Sequence, residues 1–122
     1  MSTTQFPIYT SAGDWVAMLI GRYLYNTAGE WIGWIDAEGL IFNTRGEYAG
    51  WLARDFRVLR KREGGTQHPR RDPPDRPPRA KLPMSVKLPP MMGSVAYDTM
   101  DVFEEAPYRL DPMDMDQVED ID

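Results

Sequence analysis

The sequence predicts an all-β protein: an antiparallel meander of short β-hairpin repeats with a period of 16–17 residues, followed by a Pro-rich, largely extended C-terminal tail. Three observations predict it. The segments that start at Tyr9, Tyr25 and Phe42 superimpose without gaps, at offsets of 16 and then 17 residues. Seven of the ten Gly and all four Trp precede residue 60 and recur in register with that period. Eight of the eleven Pro fall between Pro69 and Pro90, where the periodic pattern has ended. A fixed repeat of this kind marks one supersecondary unit used several times.

Each unit reads as a hairpin. Tyr25-Asn-Thr-Ala-Gly-Glu-Trp-Ile-Gly-Trp-Ile35 and Phe42-Asn-Thr-Arg-Gly-Glu-Tyr-Ala-Gly-Trp-Leu52 share Asn, Thr, Gly, Glu, Gly and Trp at equivalent places. An apolar or aromatic segment enters, a turn follows, and a longer run leaves. Gly13, Gly29 and Gly46 are the turn residues expected to take positive φ, and Asn26 and Asn43 can accept from their own backbone two residues on. The outgoing runs Trp15–Leu19, Trp31–Ile35 and Tyr48–Leu52 are β-branched and aromatic in character. Short polar connections between neighbouring strands imply antiparallel pairing. Seven strands are expected up to about Arg60. A helix is excluded because Gly recurs every few residues and no 3.6-residue apolar stripe persists.

Strict alternation along the outgoing strands puts Trp15, Trp31 and Tyr48 on one face with Ala17, Gly33 and Gly50, and puts Val16, Ile32, Ala49, Trp34 and Trp51 on the other. Both faces are then apolar, and such strands are normally covered on both sides. A meander of about 60 residues has too little chain for that. The covers considered, in order, are a second subunit, closure of the sheet on itself, and the chain's own tail. Gly33 and Gly50 are expected to lie under a neighbouring Trp ring, the alternative being a gap that admits a ligand. Trp15, Trp31, Trp34, Tyr48 and Trp51 are the candidate packing and assembly residues.

The organisation that follows is a β-hairpin repeat head over 6–60, a basic Pro-rich linker over 61–90, a docking segment over 91–110 and an acidic disordered end over 111–122. Pro biases the linker towards extended, solvated geometry. Asp98–Glu105 is expected to form a short helix, capped by Asp98 or Thr99 and ended before Pro107. Met100, Val102 and Phe103 are the candidate docking residues, offering a possible protein partner through residues 91–110.

Charge and composition narrow the function. Residues 98–122 carry ten acids and one base, whereas the first 97 carry a net +4, and the whole chain is −5. The basic linker lacks aromatic side chains for base stacking, and the acidic end competes for its cations, so nucleic acid is disfavoured as a partner. No apolar run reaches the roughly 18 residues of a membrane span, and the N-terminus has no basic leader region, so a cytoplasmic location is expected. The chain has no Cys and one His, His68. That excludes disulfides, thiolate metal sites and Cys nucleophiles. No phosphate-binding Gly-Lys pattern and no nucleophile–base set is found, so no catalytic, cofactor or metal residue is assigned and the protein is read as a non-enzyme. Asp14, Glu30 and Glu47 follow the three turn Gly and define a carboxylate ring only if the repeats surround an axis.

The Asn-Thr-x-Gly-Glu turns and x-Gly-Trp exits of residues 6–60, followed by a Pro-rich tail, resemble the bacterial 4-fold beta flower proteins. That resemblance implies a small all-β fold with a four-fold arrangement of β units and supplies no catalytic residues. A more distant likeness is to the Trp/Gly repeats of choline-binding modules. The function expected is therefore a structural or interaction protein whose head self-assembles into a homo-oligomer, with a tetramer as the four-fold possibility, and whose tail docks on a partner or neighbouring subunit. The alternative is a small binding module that uses exposed Trp for a glycan or similar ligand.

Overall fold

Residues 4–63 and 68–112 are described by a computed structural model. Eight antiparallel strands follow one another in a single meander: β1 (Gln5–Tyr9), β2 (Trp15–Ile20), β3 (Tyr23–Asn26), β4 (Trp31–Ile35), β5 (Leu40–Asn43), β6 (Tyr48–Leu52), β7 (Val58–Lys61) and β8 (Thr99–Asp101). The all-β expectation and its first seven strands are borne out, and the eighth was not anticipated. It arrives from the far side of the Pro-rich stretch and pairs Leu59 with Asp101 and Lys61 with Thr99. A one-turn helix, α1 (Val102–Glu105), and a 3-10 turn (Pro107–Leu110) complete the chain's regular structure among the described residues.

Five of the connections have one geometry. In the turns that start at Thr10, Asn26, Asp36, Asn43 and Ala53, the first residue's N–H donates to the carbonyl four residues on, and the fourth residue's N–H donates back to the first carbonyl. The fourth residue takes positive φ: 93° at Gly13, 83° at Gly29, 88° at Gly39, 86° at Gly46 and 65° at Phe56. This is the three-residue hairpin loop closed by a left-handed residue. Polar side chains reinforce it. Asn26 Oδ1 accepts from the Ala28 and Glu30 amides, Asn43 Oδ1 from those of Arg45 and Glu47, and Asp36 Oδ1 from those of Glu38 and Leu40.

Strict alternation does not hold along the outgoing strands. Ile8 faces Ala17 while Tyr9 faces Trp15; Leu24 faces Gly33 while Tyr25 faces Trp31; Ile41 faces Gly50 while Phe42 faces Tyr48. Val16, Ile32 and Ala49 are thus extra residues in three equivalent β-bulges. A bulge reverses the parity of everything after it, which corrects the face assignment made from alternation. Trp31 and Trp34 share the outer face with Tyr25 and Phe42, flanked by Ile20, Tyr23, Leu40 and Tyr48. The inner face carries Ile8, Ala17, Leu19, Leu24, Ile32, Ile41, Ala49 and Val58, one or two from each of the first seven strands.

The bulges also explain the bare strand Gly. A Cβ on Gly33 would lie 2.4 Å from the Phe42 carbonyl oxygen, and one on Gly50 would lie 2.4 Å from that of Leu59. The neighbouring strand's backbone, not a Trp ring, occupies the space. Two of the three bulges have an outer fastening: the Trp15 indole N–H donates to the Ala17 carbonyl and that of Trp31 to the Gly33 carbonyl, both at 2.7 Å.

The twisted, bulged sheet curls into a half-barrel, and its first strand returns to the far end of the meander. There the Tyr9 amide donates to the Phe56 carbonyl, and the Phe6 and Phe56 rings stack at 5.5 Å. Asp101 fastens this seam from β8: Oδ2 accepts from the Ser11 amide and hydroxyl, while Oδ1 accepts from the Phe103 and Glu104 amides and so caps α1. The helix cap is therefore Asp101, three residues after Asp98 and two after Thr99, because only there does the carboxylate meet both the helix start and the first hairpin. Val102 and Leu110 are buried in the inner core, and Phe103 packs against it. Both faces of the sheet are thus covered within one chain, the inner one by residues 102–110 and the outer one by the Pro-rich stretch, so covering them requires no second subunit.

Candidate functional site

The outer face and the Pro-rich stretch form one continuous contact. The stretch runs back across the three hairpin turns at one end of the sheet, those starting at Asn43, Asn26 and Thr10, which are the third, second and first at that end. At the third turn the Arg71 amide donates to the Gly46 carbonyl at 3.0 Å. Its guanidinium lies 5.1 Å from the centre of the Phe42 ring and donates to Asp36 Oδ2 at 2.6 Å. Just before it, the His68 ring packs on Tyr48 at 4.3 Å. At the second turn the Ala80 amide donates to the Gly29 carbonyl at 2.9 Å, and Arg79 donates from Nε and Nη2 to the Ala28 carbonyl. Ala80 itself packs against the aromatic cluster. At the first turn the Tyr9 hydroxyl donates to the Lys87 carbonyl at 2.6 Å, and Pro89 lies 3.6 Å from where a Gly13 Cβ would stand. The stations fall at Arg71, Ala80 and Pro89, nine residues apart.

The turn Gly serve this contact as well as the turn. A Cβ on Gly46 would lie 1.8 Å from the Arg71 carbonyl oxygen, and one on Gly29 would lie 2.2 Å from that of Ala80. Gly39 sits in the same kind of turn at the other end of the sheet, and nothing approaches its Cβ position within 4 Å. The backbone-to-backbone approach is therefore specific to the turns that the Pro-rich stretch crosses. Proline suits the spans between stations, since it has no amide to leave unpaired and holds the chain extended.

The Arg71 station, at the third turn, has an ion pair as well. Burial alone would raise the Asp36 carboxyl, but the Leu40 and Glu38 amides and the Arg71 guanidinium outweigh it and hold the group below the usual carboxylate range. The Asp36 side chain is 8% exposed against 44% for Arg71, so the acid is preorganised by the turn and the arginine reaches in to it. Burial raises the hydroxyls of Tyr9, Tyr25 and Tyr48, which keeps them protonated as neutral parts of the aromatic face.

The residues singled out from sequence are distributed as follows. Trp31 and Trp34 are buried beneath this track, with Trp34 stacked on Phe42 at 4.7 Å, and Tyr48 lies at its edge. Trp15 and Trp51 are half-buried. None of the four Trp stands exposed on the sheet, so an exposed-Trp ligand platform is absent from this structure. The reason is the bulge, which turns the second Trp of the unit onto the face that the Pro-rich stretch covers. Met100 and Phe103 are half-buried and Val102 is fully buried, all within the same half-barrel. The large apolar side chains that do face outwards are Met84, Leu88, Met91 and Tyr97, together with Phe6 and Tyr108. Glu30 accepts from the Asn26 amide group, and Glu47 from Asn43 and Arg45, so these acids belong to their own turns. No group of His, Asp or Glu among the described residues is arranged to hold a metal ion. No helix among them is long and apolar enough to cross a membrane. Of the expected acidic end, residues 113–122 lie outside the described residues.

Arg71, Arg79, Ala80 and Asp36 carry the contact, and sequence reasoning missed them. One signal was available: Arg70 and Arg79, each just before a docking amide, stand nine residues apart in the stretch.

No curated protein and no solved structure matches the chain. A family profile described as 4-fold beta flower protein matches residues 2–102. The match runs through the Pro-rich stretch and β8, well past the hairpins that carried the resemblance in the sequence. Hairpins, docking stretch and closing strand thus form one family unit, and the chain belongs to the 4-fold beta flower protein family.

Proposed function

We propose that the chain is a non-enzymatic structural and interaction protein whose β-repeat head grips an extended Pro-rich segment at successive hairpin turns. In one copy the segment is the chain's own. In a self-assembled form the segment of one copy engages the head of another, since the same backbone bonds can be made between chains. The observation that supports this reading is the pair of amide-to-carbonyl bonds from Arg71 to Gly46 and from Ala80 to Gly29, set nine residues apart on turns of identical geometry. Strand and extended-peptide recognition rests on such main-chain bonds, with side chains between them giving selectivity. Met84, Leu88 and Met91 stand outward on the docked segment and are the contacts offered to a further partner.

The test is light scattering with size exclusion on the full chain over a concentration series, beside the double variant Arg71→Pro, Ala80→Pro. The variant removes the two docking amides, and with the first of them the Arg71 side chain's contact with Asp36, from a segment already rich in Pro. A concentration-dependent increase in mass that the variant loses is the expected result. A mass that stays monomeric throughout, or an assembly that the variant leaves unchanged, refutes it.

A further inference from the structure

The three stations of the outer face are not equivalent, and the difference lies in one residue. At the third turn the Arg71 amide donates to the Gly46 carbonyl at 3.0 Å, and at the second the Ala80 amide donates to the Gly29 carbonyl at 2.9 Å. In both, the carbonyl of the same residue lies over the turn Gly. Pro89 stands at the same nine-residue interval and meets Gly13, whose φ of 93° belongs to the same kind of turn. What reaches Gly13 is the Pro89 ring. Its Cγ lies 3.6 Å from the Gly13 Cβ position, and no backbone atom of the described stretch comes within 4 Å of it. Among the described residues no backbone amide donates to the Gly13 carbonyl, and proline has no N–H to give it.

The first turn is as well fixed as the other two. Its Thr10 amide donates to the Asp14 carbonyl, while Asp101 and Glu104 accept from the Ser11 and Ala12 amides. The stretch is held here by a side chain instead, through the Tyr9 hydroxyl that donates to the Lys87 carbonyl.

We propose that the first turn is a third main-chain docking site, which Pro89 leaves unbonded, and that the outer face prefers an extended Pro-rich segment of another protein with an N–H-bearing residue in that place. The other stations define the rest of the preferred segment. They call for Arg where Arg71 meets Asp36 and Phe42, and for Arg followed by a small apolar residue where Arg79 and Ala80 meet the second turn. The Asp36 carboxylate and the Phe42 ring at the third turn fit such a basic partner by charge. The chain's own segment keeps its place through its covalent tether, which gives it a high effective concentration, and not through a full set of bonds. This inference rests on the reading of the head as a grip for extended segments.

Two measurements test it. Pro89→Ala in the otherwise native chain supplies the missing N–H, and hydrogen exchange followed by NMR reads it. The amide at position 89 is expected to exchange at least about tenfold more slowly than in a free peptide of residues 68–92 with the same change. Exchange at the free-peptide rate overturns the proposal, and this measurement needs no released head. Labelled peptides of residues 68–92, carrying either Pro89→Ala or Pro83→Ala, are then titrated by fluorescence anisotropy into the full-length Arg71→Pro, Ala80→Pro variant, whose own segment lacks both docking amides. Pro83 lies between stations, so its replacement loosens the chain equally without offering the new bond. The Pro89→Ala peptide is expected to bind about threefold to tenfold more tightly than the Pro83→Ala peptide, the effect of one main-chain hydrogen bond. Equal affinities overturn the third site and leave the grip standing. Binding of neither peptide overturns the grip, and the proposal with it.

Discussion

Replacing Gly46 by Ala, and Gly39 by Ala in parallel, separates what a hairpin turn costs from what the docked segment contributes. The two Gly have nearly the same backbone, with φ of 86° and 88°, and both close a three-residue loop. An L-residue at positive φ costs roughly 1–2 kcal/mol, and Gly39→Ala should cost only that. At Gly46 the new Cβ would meet the Arg71 carbonyl oxygen at 1.8 Å and the carbonyl carbon at 3.0 Å. Both are backbone atoms and cannot rotate aside, so the segment must lift from the turn. Lifting it forfeits the Arg71 amide bond, about 0.5–1.5 kcal/mol. The half-exposed pair of Arg71 with Asp36 adds up to about 1 kcal/mol, and uncovered Phe42 surface adds more. The expected loss at Gly46 is about 2–5 kcal/mol, or roughly 1–3 beyond that at Gly39. Urea unfolding followed by Trp fluorescence measures both, since Trp31 and Trp34 lie beneath the segment. Combining Gly46→Ala with Arg71→Pro should cost less than the two changes separately, because both act on one contact. Equal losses at Gly39 and Gly46, or full additivity with Arg71→Pro, would refute the reasoning.

The remaining predictions concern the inner core and the third station. Leu110→Ala should destabilise the fold by about 2–5 kcal/mol, whereas Leu88→Ala, at a side chain 88% exposed, should stay within about 0.5 kcal/mol; similar losses in urea unfolding would remove Leu110 from the inner core. Asp36 has a folded pKa below its unfolded value, so its contribution is present above the unfolded pKa, near 3.9, and is lost as pH falls through the folded one. Stability of the native chain should therefore fall below about pH 4 more steeply than that of Asp36→Asn; parallel curves would mean that the carboxylate contributes nothing.

The hairpins were legible because their signals are local. Five turns of one hydrogen-bond pattern need a residue tolerant of positive φ at the fourth place, and four of them have Gly there. Phe56 breaks the pattern, and it does so where the fold closes: its carbonyl accepts from Tyr9 and its ring stacks on Phe6. The face assignment failed because a bulge adds one residue without changing residue type. Val16, Ile32 and Ala49 are as apolar as their neighbours, so nothing in composition marks where the alternation reverses. The outer cover was likewise hidden. A Pro-rich basic stretch has the composition of a solvated spacer, and the partners that hold it down are backbone carbonyls of turns 25 to 51 residues away, which no side-chain pattern announces.

The sequence by itself determined the first seven strands, the turns, their period and the all-β class, since each follows from the conformational range of a few residues. It determined also that both sheet faces would need covering, since every outgoing strand is apolar throughout. Only the tertiary structure decided what covers them. One C-terminal half passes over the outer turns, supplies β8 through Thr99–Asp101, and sends Val102 and Leu110 into the inner core. The physical reason is that these contacts join residues far apart in the chain. Their stability arises from carbonyls, bulges and a single carboxylate at Asp101 brought together by folding, and not from the propensity of any segment alone.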